Sequence, residues 1–422
     1  MLGGTYLKKN RNFLTGFLAG LIGAFILLVV LVGGATYILM NNNYKEPKVP
    51  TEDVSAAENE EDSYDEIVGK LTVMKMLIDN LYLDDVNAEE FSTGIYKGFM
   101  SSLDDPYSTY YTKEEYTSLK ESSSGVYHGI GAVVSKDVKT GVITIVKPYK
   151  GGPAYEVGLL PDDIIFMVEG EEVDGMDLTE IVGKMKGKAG TAVNVTIIRE
   201  GVTDPIDFTI VRQEINIPTI EYEMLEDNIG YILISEFDQI TVSQFVLAID
   251  NLERRGMTGL IIDVRDNPGG LLEAVVSMLD RLLPKGSNIV YTEDKYKKRE
   301  YKDAENPDKF DKPLVVMING NSASASEIFA GAIQDYEIGT IVGTTSFGKG
   351  IVQQVIPLND GTAIKLTISK YFTPKGRNIH GTGIVPDVEV ELSEDLRKMV
   401  TIPHDEDNQL QKAIEVLKEK ME

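Results

Sequence analysis

The hydrophobic pattern divides the chain into segments of different period. From Phe13 to Met40 the residues carry no charge and are mostly apolar, a run longer than the roughly 20 residues a helix needs to cross a bilayer, which predicts a single transmembrane helix over 13–40. Residues 41–63, with "KEPKVPTEDVSAAENEEDS" inside them, are polar, acidic and proline-bounded, the pattern of a disordered linker. Beyond Tyr64, Ile67, Leu71, Met74, Leu77 and Ile78 recur at helical spacing until "LDDPYSTYYT" breaks the period, predicting a helical N-terminal region over 64–120. Its tyrosines Tyr107, Tyr110 and Tyr111 read as packing. Residues 121–213 alternate apolar and polar in short glycine-punctuated runs, interrupted by "DLTEIVGKMKG", and predict a mainly β domain with one helix. Between 214 and 395, apolar strands such as "IGYILISEF" and "TGLIID" alternate with amphipathic stretches such as "TVSQFVLAIDNLERRG", an α/β unit. The tail, 396–422, places Leu410, Ala413, Ile414 and Leu417 on one helical face, which predicts a helix that packs back on the body.

Composition narrows the chemistry. With 67 acidic against 41 basic residues the net charge is −26, which repels nucleic acid, so none is expected as a partner. The absence of cysteine excludes disulfides, thiolate nucleophiles and cysteine-ligated zinc. Three histidines with no H-E-x-x-H spacing argue against a metal hydrolase, and no cofactor or metal is expected. Lys8, Lys9 and Arg11 precede the apolar run and acidic residues follow it. The positive-inside rule then makes 1–12 a cytoplasmic N-terminus and puts the body outside the cell membrane, single-pass. A signal peptide cleaved near Gly33 and Ala35 is the rival reading, but its apolar core is ordinarily about 7–15 residues.

Two motifs carry candidate chemistry. "GTTSFGKG", residues 343–350, has Gly343, Gly348 and Lys349 where a phosphate-binding loop requires them, but Gly350 replaces the hydroxyl residue. A hairpin pattern follows in place of a helix, so Lys349 is not a phosphate grip. "NGNSASASEIFAGA" reads as strand, turn and helix, a geometry that exposes a side chain and aims free amides at a site. Ser322, Ser324 and Ser326 are all candidates there, while Ser324 and Glu327 also have capping-box spacing. A hydroxyl nucleophile needs a base, and no histidine adjoins, so Lys349 is the natural partner in a Ser-Lys dyad. Its pKa must then be lowered by about 2–3 units, which burial beside Ile351 and Val352 can supply.

Together "LDDPYS", "DVRDNPGG", "SASASEIFAGAIQD", "FGKGIVQ" and "YFTPKGRNIHGTGIVPD" resemble the C-terminal processing peptidases, also called tail-specific proteases, from about Tyr64 onward. The resemblance implies a crotonase-like catalytic core carrying an inserted PDZ domain. It also implies Ser324 as nucleophile, Lys349 as general base, Gln353 as the residue orienting that base, and an oxyanion hole from the amides of Ala325 and Gly270. In the PDZ region, Gly129, Ile130, Gly131 and Ala132 correspond to the loop that receives a peptide's terminal carboxylate, with free, apolar C-termini as partners. The family also allows a homodimer. Asp263 and Arg265 read as a loop-shaping ion pair, and His380 as structural. A catalytically silent PDZ scaffold holding protein tails at the membrane is the alternative function, and it predicts a broken dyad.

Overall fold

The computed structural model describes residues 64–307, 310–399 and 402–422. The predicted membrane span and acidic linker lie outside them, and among the described residues no helix is long and apolar enough to cross a membrane. Helix α1 (Tyr64–Leu81) belongs to a first compact unit, and residues 87–422 form a second.

The second unit opens with α2 (Ala88–Ser101), strand β1 (Thr109–Tyr111) and α3 (Lys113–Ser124). A capping box between Thr112 and Glu115 starts α3, and Gly125 at φ 68° ends it. Strand β1 pairs antiparallel with a strand some 250 residues later, Thr109 opposite Lys365. The segment read as purely helical thus delivers a strand to a distant sheet.

The β-rich domain hangs from a two-stranded ribbon. Strand β2 (Val126–Gly129) pairs only with β9 (Gln213–Asn216). Between them come β3 (Ala132–Lys136), β4 (Ile143–Pro148), the short α4 (Pro153–Glu156), β5 (Ile164–Val168), β6 (Glu171–Glu172), α5 (Leu178–Met185), β7 (Ala192–Ile198) and β8 (Ile206–Val211). The sheet order is β3-β4-β5-β7-β8, with β6 on β5. Alternation does the sorting: Val193, Val195 and Ile197 of β7 point inward to Ile145, Ile165 and Ile181.

The remaining chain builds two further sheets. Strands β10 (Ile220–Met224), β11 (Ile229–Ile234), β12 (Gly259–Asp263), β15 (Leu314–Ile318), β16 (Thr340–Gly343) and β19 (Val388–Glu389) lie in that order, parallel from β11 onward. Every residue of β12 and β15 is buried, as expected of central parallel strands covered on both faces. Helices α6 (Gln239–Arg254), α7 (Leu272–Asp280) and α8 (Ala325–Asp335) share one apolar core with the first face. The C-terminal α9 (Asn408–Met421) covers the other, packing Leu410, Ala413 and Leu417 on Ile261, Val315 and Met317. The hairpin predicted around Asn359-Asp360-Gly361 is β17 (Ile351–Pro357) and β18 (Ala363–Phe372), in a sheet with β1, β13 (Asn288–Asp294) and β14 (Arg299–Asp303).

Candidate active site

The turn between β15 and α8 separates the three candidate serines. Ser322 and Ser326 are fully buried and spend their hydroxyls on the neighbouring loop: Ser322 Oγ donates to the Val264 carbonyl (2.7 Å) and Ser326 Oγ to that of Asn267 (2.9 Å). Ser324 instead lines a cavity of about 330 Å³. It stands at the N-cap of α8 with φ 55° and ψ −111°, a conformation that costs a non-glycine residue about 1–3 kcal/mol.

The 264–270 loop fits against this turn with no room for a Cβ at Gly269 or Gly270. A Cβ on Gly269 would lie 2.8 Å from Ser324 Cβ and 3.0 Å from the Ala325 nitrogen. At Gly270, with φ 142°, it would lie 2.3 Å from the Phe237 carbonyl oxygen. A protein carbonyl thus excludes any other residue at 270. Gly270 and Ala325 both line the cavity with Ser324, and neither amide has an acceptor among the described residues.

Lys349 is brought to the same cavity by a buried carboxylate. Glu327, fully buried, accepts from Ser346 Oγ (2.6 Å) and Gly348 N–H (2.7 Å) at one oxygen, and from the N–H groups of Ser324 and Lys349 (2.8 Å each) at the other. The predicted capping residue is therefore also a long-range staple. The buried Tyr371 hydroxyl sits within hydrogen-bonding distance of the carbonyls of Ser324 (2.9 Å) and Lys349 (2.6 Å), tying the two turns a second time.

No hydrogen bond joins Lys349 Nζ to Ser324 Oγ, and the ammonium lies 4.5 Å from the centre of the Tyr107 ring. This corrects the reading of Tyr107 as mere packing, since the β1–β18 pairing carries it to the site. Desolvation, reinforced by Lys365, holds Lys349 below the ordinary lysine range, while Asp105 and Glu327 pull it upward. Burial pushes Asp105 up, but bonds from Ser108, Thr367 and the Tyr107 amide, with Lys349 nearby, outweigh it and leave it below the usual carboxylate value. Gln353 lines the cavity but does not bond Lys349. Its amide donates to Thr367 Oγ1 at 3.3 Å, and a register shift between Val352 and Gln353 interrupts simple strand alternation.

The other predicted residues fall elsewhere. Gly129 ends the ribbon, opposite Gln213; Ile130 is buried in the β-rich domain's core; Gly131 has φ 75°; and Ala132 begins β3. Beside this loop a groove of about 260 Å³ runs between β3 and α5, with Tyr127 and α3 also on its walls. Burial above all pushes Tyr127 up to about 12, with the amides of Ala132 and Gly131 acting against it. Lys186 pairs across the groove with Glu121 of α3 at 2.8 Å. Asp263 and Arg265 form an ion pair at 2.7 Å that Asp407 completes at 2.8 Å. Among the described residues no group of acidic and histidine side chains is arranged to hold a metal.

Residues 228–390, which contain both turns, match the description "Peptidase family S41"; 144–199 match "PDZ domain", and 29–115 match "Activating protease CtpB N-terminal domain". The carboxy-terminal processing protease CtpB of Bacillus subtilis is 36% identical over 86% of this chain and 76% of its own length. The chain belongs to peptidase family S41, the carboxy-terminal processing proteases. CtpA of the same organism is 42% identical over 74% of this chain, an alignment spanning 66% of that relative's length. A solved structure titled "photosystem II D1 C-terminal processing protease" aligns over 77% of this chain and 89% of its own, at 28% identity and a TM-score of 0.45, and carries no weight in the assignment. The S41 membership agrees with the α/β core and the PDZ insertion.

Proposed function

We propose that this S41 protein is a membrane-anchored serine endopeptidase that cleaves extracytoplasmic proteins after reading their C-terminal tails, with Ser324 and Lys349 as its dyad. One observation carries the reading: of three serines on the turn, Ser324 alone lines a cavity that also holds Lys349 and two amides without acceptors. In this mechanism Lys349 leaves the Tyr107 ring and removes the Ser324 proton as Oγ attacks the scissile carbonyl. The amides of Ala325 and Gly270 hold the oxyanion, each worth about 3–4 kcal/mol in the transition state. Lys349 then protonates the departing amine, and water attacks the acyl-enzyme by the same route in reverse. Gln353 steadies the lysine once its amine has moved.

The groove at Gly129–Ala132 is the proposed receptor for a free, apolar C-terminus, which adds as a strand beside β3. The Lys186–Glu121 pair lines that groove. Anchoring rests on the apolar run 13–40, and a homodimer on the exposed apolar residues of α1, such as Ile67 and Met74. The crotonase-like ancestry of the core is part of the same reading.

The test uses full-length protein in detergent with an unstructured substrate ending in apolar residues or in Asp-Asp, fragments being followed by mass spectrometry. Tail-dependent cleavage, absent in Ser324→Ala and in Lys349→Ala, is expected. Binding of the apolar tail without cleavage by the wild type would favour the silent scaffold. Resistance of the native protein to alkaline extraction from membranes tests the anchor.

A further inference from the structure

The catalytic cavity has an acidic wall that the proposed chemistry does not use. Phe237 is clamped to the 269–271 loop: its N–H donates to the Gly269 carbonyl (2.9 Å) and its carbonyl accepts from Leu271 N–H (2.6 Å). Its side chain is buried in the core. Flanking residues of an extended segment point the other way, and Glu236 and Asp238 both line the cavity beside Gly270.

Among the described residues neither carboxyl is ion-paired. Asp238 is only 4% exposed. It stands at the N-cap of α6, where its own N–H donates to Thr241 Oγ1 (2.9 Å). Burial, then the adjacent Glu236, push Asp238 up to about 7, and burial raises Glu236 as well; no cation offsets either. The cavity's two lysines, Lys349 and Lys365, lie over the rings of Tyr107 and Tyr111 instead. The same cavity is also lined by Leu271, Leu272 and Ile328. Two neighbouring carboxyls in a cavity that also presents apolar side chains suit a residue with a long aliphatic stem and a cationic head.

We infer that Glu236, backed by Asp238, selects a substrate lysine or arginine at one position flanking the scissile bond. The inference rests on Ser324 being the nucleophile. The C-terminal tail brings the chain to the enzyme, and this wall then chooses where along the chain it is cut.

The experiment uses full-length enzyme and unstructured peptides that share one apolar C-terminus and vary one internal position at a time among Lys, Arg, Gln, Leu and Glu. Cleavage sites and kcat/KM are read for wild type, Glu236→Gln and Glu236→Lys. At one position beside the cut, Lys and Arg should exceed Gln by about tenfold or more, with Glu poorest. In Glu236→Gln the Lys-to-Gln ratio should fall to about one, and in Glu236→Lys the order of Lys and Glu should invert. Wild-type cleavage indifferent to charge at every position, or a Lys-to-Gln ratio unchanged in Glu236→Gln, overturns the inference while leaving the peptidase reading intact. If no peptide is cut at all, the peptidase reading fails first and this inference with it.

Discussion

Ser324 and Lys349 donate their main-chain N–H groups to the same oxygen atom, Oε2 of Glu327, each at 2.8 Å. The spacing of the Ser324 and Lys349 main chains is therefore set by one buried carboxylate rather than by the sheet alone. Glu327→Ala would leave four donors, on the buried Ser346 and Gly348 and the half-buried Ser324 and Lys349, without their acceptor, so it should cost at least about 3 kcal/mol and reduce cleavage about 100-fold or more. Glu327→Gln, which keeps one acceptor, should fall between. Thermal unfolding read beside kcat/KM checks both effects.

Strain at Ser324 gives a second expectation. Glycine tolerates φ 55° where alanine does not, and the relief outweighs the added freedom of the unfolded glycine. Both Ser324→Gly and Ser324→Ala should be inactive, yet the glycine variant should be about 1 kcal/mol the more stable. Equal melting temperatures would show that the turn is not strained.

Tyr107 should matter through its ring. Tyr107→Phe keeps the face beneath the ammonium and should cleave nearly as wild type. Tyr107→Leu removes an attraction of about 1–2 kcal/mol and should change kcat about 5- to 30-fold with little change in KM.

The depressed pKa of Lys349 has two pH consequences. In the proposed role of general base it must be neutral, so activity should rise with pH through a midpoint below the ordinary lysine value and be lost on the acid side. Lys349→Arg should be inactive throughout, because arginine keeps its proton. For stability the sign follows from proton counts: between the folded and unfolded midpoints the unfolded chain binds more protons, so the native state gains as pH rises. Lys349→Met should therefore raise Tm at neutral pH, and that advantage should shrink as the pH climbs toward the ordinary lysine range.

The legible parts of the sequence were those set by local period and local turn chemistry. The all-apolar runs of β12 and β15, the Asn359-Asp360-Gly361 hairpin and the strand-turn-helix around Ser324 all follow from spacing alone. Tyr107 was misread because its neighbour in space is fixed by a β1–β18 pairing that no local pattern encodes. Glu327 was read as a cap because Ser324 is three residues away. Its other three donors come from 346–349, beyond the reach of helical spacing. Gln353 came from the resemblance alone, and the register shift before it is not written in the local pattern. The "LDDPYS" stretch held the missed signal, an aspartate, a tyrosine and a serine bunched around a proline turn.

The ribbon of β2 and β9 makes the PDZ domain removable in principle. Gly129 lies opposite Gln213, so the entering and leaving strands stand about 5 Å apart, close enough for a tight turn to replace everything between them. Grafting would exploit the same geometry: a foreign peptide-reading domain with neighbouring termini, spliced at this point, would inherit the attachment and could redirect the enzyme to a different class of tail.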